Sequence, residues 1–136
     1  MEIVQIPFVK HLGILQQDDR LCLHPDTVLQ NHIGTLHAGA IYTLAESASG
    51  LCLQQTFPKL ADKTFGMLRE SSVKYKHPAH GTIYAQALLA EDEKQRFLSR
   101  LQRKGRATLT IEVTLYNEPQ KVVMTGSFVW YVQMRA

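Results

Sequence analysis

Apolar and polar residues alternate most cleanly between positions 107 and 116. Ala107, Leu109, Ile111, Val113 and Leu115 fall on one side, and Thr108, Thr110, Glu112 and Thr114 on the other. A period of two marks a strand with one buried face. The stretches 65–76, 82–89 and 122–132 also read as strands, separated by turn residues at His77-Pro78-Ala79-His80-Gly81 and Asn117-Glu118-Pro119. Between 35 and 57 the period changes: Ile41, Leu44, Ala45, Ala48, Leu51 and Cys52 recur at helical steps, which predicts one long helix. Its surface is rich in small residues, among them Ala38, Gly39, Ala40, Ala45, Ala48 and Gly50, so another backbone can approach it closely.

Ahead of that helix, Pro7 suits a first helical turn and Gly13 its end, so a short helix leads into a strand. The polar break from Gln16 to Arg20 splits the next segment into two short strands, closed by His24-Pro25-Asp26. A second helix is predicted between the strands 82–89 and 107–116. Glu91, Asp92 and Glu93 sit in its first turn, Arg103 and Lys104 in its last, and Gly105 at its cap. Only Phe97, Leu98 and Leu101 give this insert an apolar stripe, so it belongs on the surface. The sum is an α+β pattern in which an antiparallel sheet covers one long helix.

The length of 136 residues, with no repeat or linker, suits a single domain over 1–136. The net charge of +3 is concentrated on the insert, at Lys94, Arg96, Arg100, Arg103, Lys104 and Arg106. Such a run reads as a solvated helix face, and no aromatic pattern of an RNA-binding strand accompanies it, so nucleic acid is not an expected partner. No apolar run approaches the ~18 residues of a membrane span, and the N-terminus has no leader pattern. A cytoplasmic location without membrane contact is therefore expected. Cys22 and Cys52 stand thirty positions apart with no CxxC partner, so both read as free, buried thiols and no metal site is predicted.

Candidate chemistry gathers at the mouth of the long helix, in Asn31-His32-Ile33-Gly34-Thr35-Leu36-His37-Ala38-Gly39, and at Glu46 inside it. A helix N-terminus offers unpaired N–H groups and a positive dipole end, both suited to an oxyanion. A lone carboxylate between Ala45 and Ser47 either faces solvent or serves a site, because burying it unpaired is costly. The plainer alternative has Glu46 on an exposed stripe and His37 as a simple cap. Against it, Tyr42 and Ser49 flank Glu46 on its own stripe and make it semi-polar.

These residues resemble the PaaI-like and related hotdog thioesterases, in which an Asn, then Gly-Thr, then His-Gly-Gly open a long helix that carries an acid nine positions after the His. Here Asn31 precedes His37 by six positions, Gly34-Thr35 lie between, and Glu46 follows His37 by nine. Similarity extends from Ile6-Pro7-Phe8 and Leu12-Gly13-Ile14 to Val73-Lys74-Tyr75-Lys76-His77-Pro78-Ala79, and so covers nearly the whole chain. The resemblance implies a hotdog fold and hydrolysis of an acyl-CoA or related thioester by a homodimer or homotetramer whose sites lie between subunits. It implies no metal and no redox cofactor. By the same resemblance Glu46 acts as general base or nucleophile, Asn31 and His37 orient the thioester, and Ala38 and Gly39 supply oxyanion N–H groups. Tyr42 and Leu68 then line the substrate.

Two positions depart from that pattern: Ala38 replaces the usual Gly, and Leu68 stands where some relatives place a hydroxyl, with Thr64 or Ser71 as substitutes. The departures also suit a non-catalytic hotdog that binds acyl-CoA without turnover. A hydratase reading rests on His32 lying fourteen positions before Glu46, but the prolines of that pattern do not occur here. The basic insert could meet the phosphates of CoA if it lay beside the helix mouth.

Overall fold

The computed structural model describes every residue except Pro119, so that one position of the expected 117–119 turn lies outside the described residues. The strand with the cleanest alternation runs Arg106–Asn117 and lies inside the sheet, with all five of its predicted inward residues at 7% exposure or less. In chain order the elements are α1 (Pro7–His11), β1 (Leu15–Gln17), β2 (Arg20–Leu23), α2 (Ala38–Thr56), β3 (Thr64–Tyr75), β4 (Ile83–Leu88), α3 (Glu91–Lys104), β5 (Arg106–Asn117) and β6 (Val122–Met134). The strands form one antiparallel sheet in the order β1-β2-β4-β5-β6-β3.

This sheet curls around α2, which packs on β2, β4, β5 and β6. Its small residues explain the fit: Ala40, Ala45, Ser47, Ala48, Ser49 and Gly50 are all buried, so strands approach it on several sides. An antiparallel sheet wrapped on one long helix is a hotdog fold, as the sequence predicts. The long helix is shorter at its start than the apolar pattern, because His37 caps it and Ala38 is its first residue.

The other predicted elements also form. Gly13 (φ 79°) follows α1, and Gly105 (φ 75°) closes α3 with its N–H on the Leu101 carbonyl at 2.8 Å. On α3, Phe97 is fully buried and its ring lies 5.2 Å from that of Phe57, just past the end of α2. Both thiols are free, but Cys52 is only half-buried, because it faces a cavity where β2 parts from β4. Ile3–Gln5 forms a single helical turn that the periodicity does not predict, and Ile3 is buried on α2.

Two features of the sheet position the site. β3 is an edge strand of twelve residues, with Phe65, Met67 and Tyr75 exposed. Its pairing with β6 slips between Leu68 and Glu70, so Arg69 is an extra residue in the strand. No helix among the described residues is long and apolar enough to cross a membrane.

Candidate active site

The loop before α2 is built around Asn31. Its side-chain oxygen accepts the N–H groups of Ile33 and Thr35, both at 3.0 Å. Its amide nitrogen donates to the Thr35 hydroxyl at 2.8 Å and the Leu36 carbonyl at 3.3 Å. Gly34, at φ 80°, supplies the left-handed turn this closure needs. Both ends of the carboxamide are thus committed to the loop, which is tied to its surroundings by His37 N–H on Leu29 and Leu36 N–H on Ala79.

His37 then caps α2. Its Nδ1 accepts the Gly39 N–H at 2.8 Å, so in this arrangement Nδ1 is unprotonated and the ring proton sits on Nε2. Ala40 and Ile41 donate to the His37 carbonyl at 3.0 and 3.1 Å. Among the described residues the Ala38 N–H has no acceptor. Of the two backbone donors the sequence singles out for an oxyanion, the cap occupies Gly39 and leaves Ala38 free. His37, Ala38 and Gly39 are all exposed on the single chain.

Glu46 is half-buried and makes no hydrogen bond or ion pair through its carboxylate among the described residues. Burial pushes its carboxyl above the usual glutamate range. Neighbouring groups hold its position. One turn before it, the Tyr42 hydroxyl meets the Ser71 hydroxyl at 2.8 Å, and the Tyr42 ring packs on Phe128. After it, Ser49 donates to the Glu46 carbonyl and accepts the Trp130 indole N–H at 2.9 Å. Further along, Leu53 packs where a side chain on Gly66 would reach. With position 42 against 71 and position 53 against 66, Glu46 and Gly50 lie over the middle of β3, where Leu68 is.

Leu68 is half-buried on the inner face, opposite Trp130. Of the two hydroxyls that could replace it, Thr64 donates to the Leu60 carbonyl, while Ser71 reaches the Glu46 stripe through Tyr42. Two residues to which the sequence reading gave no role meet the site. Tyr75 donates to the Ala38 carbonyl at 3.3 Å, and Trp130 donates to Ser49 just past Glu46. Both are brought in by strand pairing, which leaves no mark on local spacing.

The chain does not bring all its candidates together. At ~1.5 Å per residue, Glu46 lies about 12 Å along the axis from Ala38. His32 is exposed in the loop, away from that stripe. The basic face of α3 is at the other end of α2 from His37, since Phe97 packs on Phe57, so within one chain those residues are not beside the helix mouth. Among the described residues no three His, Cys, Asp or Glu side chains are grouped to hold a metal ion.

Residues 16–132 match a domain of unknown function, DUF4442. None of the curated proteins compared with the chain matches its sequence. Solved structures with the same fold include a protein of unknown function and probable thioesterase from Pseudomonas aeruginosa, with a TM-score of 0.84 and 24% identity over 98% of this chain and 91% of that one. A variant of a thioesterase enzyme from Staphylococcus aureus has a TM-score of 0.72 and 16% identity, over 93% of this chain and 98% of the other. A Bacillus halodurans protein solved with CoA has a TM-score of 0.68 and 20% identity, over 96% and 85% respectively.

Proposed function

Since the chain belongs to the DUF4442 family and has a thioesterase-like hotdog fold, we propose that it hydrolyses acyl thioesters, acyl-CoA first among them. One observation carries this reading: Glu46 is a partly desolvated carboxylate that nothing in the fold pairs, on a helix otherwise built for packing. A half-buried base of raised pKa is what removing a proton from water near neutral pH requires. The spacing of Asn31, Gly34-Thr35, His37 and Glu46 supports reading the chain, as one domain over 1–136, as a relative of the PaaI-like branch. Its substrate is then a cytoplasmic CoA ester.

In this mechanism two copies share each site. The Ala38 N–H and Glu46 are too far apart in one chain to hold the same carbonyl. Antiparallel pairing of β3 with its counterpart in a second copy satisfies the open edge and carries Glu46 toward the partner's Ala38. The partner's Ala38 N–H receives the carbonyl oxygen as it becomes an oxyanion, and the Nε2–H of the partner's His37 is the second donor. Glu46 takes a proton from water, the resulting hydroxide adds to the carbonyl carbon, and the C–S bond breaks. The thiolate leaves with the proton Glu46 held. Alternatively the carboxylate itself attacks and expels the thiolate, forming an acyl-glutamate anhydride; where water opens it at the Glu46 carbonyl, heavy oxygen from labelled water appears in Glu46 after one turnover, and where water opens it at the acyl carbon the label goes to the product acid. Asn31 is a positioning residue here, shaping the loop that presents His37 and Ala38. Tyr42 and Leu68 line the cleft around the acyl group.

The commitment of Asn31 and His37 to local bonds also suits an acyl-CoA-binding hotdog without turnover. A panel of acyl-CoA esters separates the two. Saturable release of CoA thiol supports the hydrolase, and tight binding with no thiol released overturns it.

A further inference from the structure

Two hydrogen bonds at the helix mouth meet in one peptide group. The Tyr75 hydroxyl donates to the Ala38 carbonyl at 3.3 Å, and the Gly39 N–H donates to His37 Nδ1 at 2.8 Å. That carbonyl and that N–H are the two ends of the amide joining Ala38 to Gly39. A continuous path therefore runs from the phenol through the amide to the imidazole, and it ends on the Nε2–H of His37.

A donor on the carbonyl draws electron density toward its oxygen and makes the N–H of the same amide a better donor, so bonds in such a chain strengthen one another. A backbone N–H can only donate. While the cap holds, Nδ1 of His37 therefore stays without a proton and Nε2 keeps one. The Ala38 carbonyl also takes the Tyr42 N–H as the helix continues, so the phenol is a second donor there and the helix does not depend on it.

The setting of Tyr75 suits this task. The residue is 47% exposed, so packing is a minor part of what it contributes, and its hydroxyl is the group that touches α2. Partial burial, and after it the nearby Tyr42 phenol, push that hydroxyl above the usual tyrosine range, so it keeps the proton it donates. The end of β3 that carries it is held by the Lys76 N–H on the Val123 carbonyl at 2.8 Å, and His77 Nδ1 lies 3.0 Å from the Val122 carbonyl. A carbonyl can only accept, so in this contact His77 carries a proton on Nδ1, the reverse of His37.

We infer that Tyr75 is a positioning residue: through the amide between Ala38 and Gly39 it holds the His37 ring with its proton on Nε2, ready to donate at the helix mouth. Its effect on rate rests on the thioesterase reading, whereas its effect on the ring can be measured without turnover. Nitrogen-15 spectra at about pH 8.5, above the ordinary histidine value of about 6.5, should show His37 protonated on Nε2 and His77 on Nδ1. In Tyr75→Phe, a His37 fraction on the order of a tenth should carry its proton on Nδ1 instead, and the Gly39 amide proton should move upfield as its bond weakens. His77 should not change, and the melting curve should match the parent's. Thioester kcat should fall about fivefold, the scale of one neutral hydrogen bond, with KM within about twofold. In a His37→Ala background the same substitution should cost nothing further, because its effect passes through that ring. If the parent releases no thiol but His37 still changes tautomer in Tyr75→Phe, the hydrolase reading fails and the positioning role stands. If His37 keeps its proton wholly on Nε2 in that variant, if kcat of an active parent does not fall, or if the loss persists in full without His37, Tyr75 does not act through His37.

Discussion

The two long helices each place a carboxylate against the sheet and treat it in opposite ways. Glu93 of α3 has every partner it could use: the Arg96 guanidinium, the Thr110 N–H at 2.7 Å and, further off, Arg100. Burial pushes its carboxyl up, but these partners outweigh it and hold the group below the usual range. Glu46 of α2 is more deeply enclosed and has none, so burial alone acts and its carboxyl rises. The difference shows what each helix is for. α3 is a surface helix whose charges fasten it to β5, whereas α2 is packed on most sides and carries a charge its own stability would be better without. A carboxylate kept at a cost to folding is a candidate for chemistry.

The contrast can be broken from either side. The largest effect belongs to the apolar anchor of α3: Phe97→Ala removes a fully buried ring packed on Phe57 and should destabilise the chain by about 3–5 kcal/mol in denaturant unfolding. Next comes Glu46→Gln, which keeps the shape of the side chain and removes the base. Thioester kcat should fall by about a hundredfold, or ~2.7 kcal/mol of barrier, with acyl-CoA affinity retained. A variant with parental turnover would show that Glu46 is not the reacting group. Glu93→Gln should do the reverse, costing about 1 kcal/mol of stability and leaving kcat unchanged.

The smallest effect is on the pH dependence of stability. Glu46 binds its proton more tightly folded than unfolded, so stability falls as pH rises from the ordinary glutamate value of about 4.3 through its raised one. Glu93 is depressed, so its contribution is present above about 4.3 and is lost as pH falls through its lowered value. Melting curves should show Glu46→Gln flattening the slope above that point and Glu93→Gln flattening the slope below it, each by on the order of a few degrees. Identical profiles for the two variants would remove the distinction between the helices.

Much of this was legible in the sequence because it rests on local periodicity and punctuation. β5 alternates without a break, α3 carries its own acidic start, basic end and Gly105 cap, and Glu46 stands out against an apolar helix. Less legible was how polar atoms are spent. The sequence offered His37 as a plain cap, but nothing in its spacing tells that the cap takes the Gly39 N–H, or that Asn31 closes its own loop, since both depend on side-chain rotamers. The surroundings of Glu46 were out of reach for another reason: they are set by contacts such as Tyr42 with Ser71 and Ser49 with Trp130, between residues far apart in the chain.

The extra residue in β3 explains why Leu68 and Ser71 competed for one position. Before it, Thr64, Gly66 and Leu68 point inward; after it, Ser71, Val73 and Tyr75 do, so the strand is two runs in opposite phase joined at Arg69. A deletion of Arg69 alone would restore a single phase and turn the second run inside out, detaching Ser71 from Tyr42 and Tyr75 from Ala38. One length change would thus uncouple β3 from both the helix mouth and the Glu46 stripe, with every side chain named in either still encoded. In β3, then, the number of residues constrains the site as firmly as their identity, and its descendants should tolerate substitution at Arg69 far better than its loss.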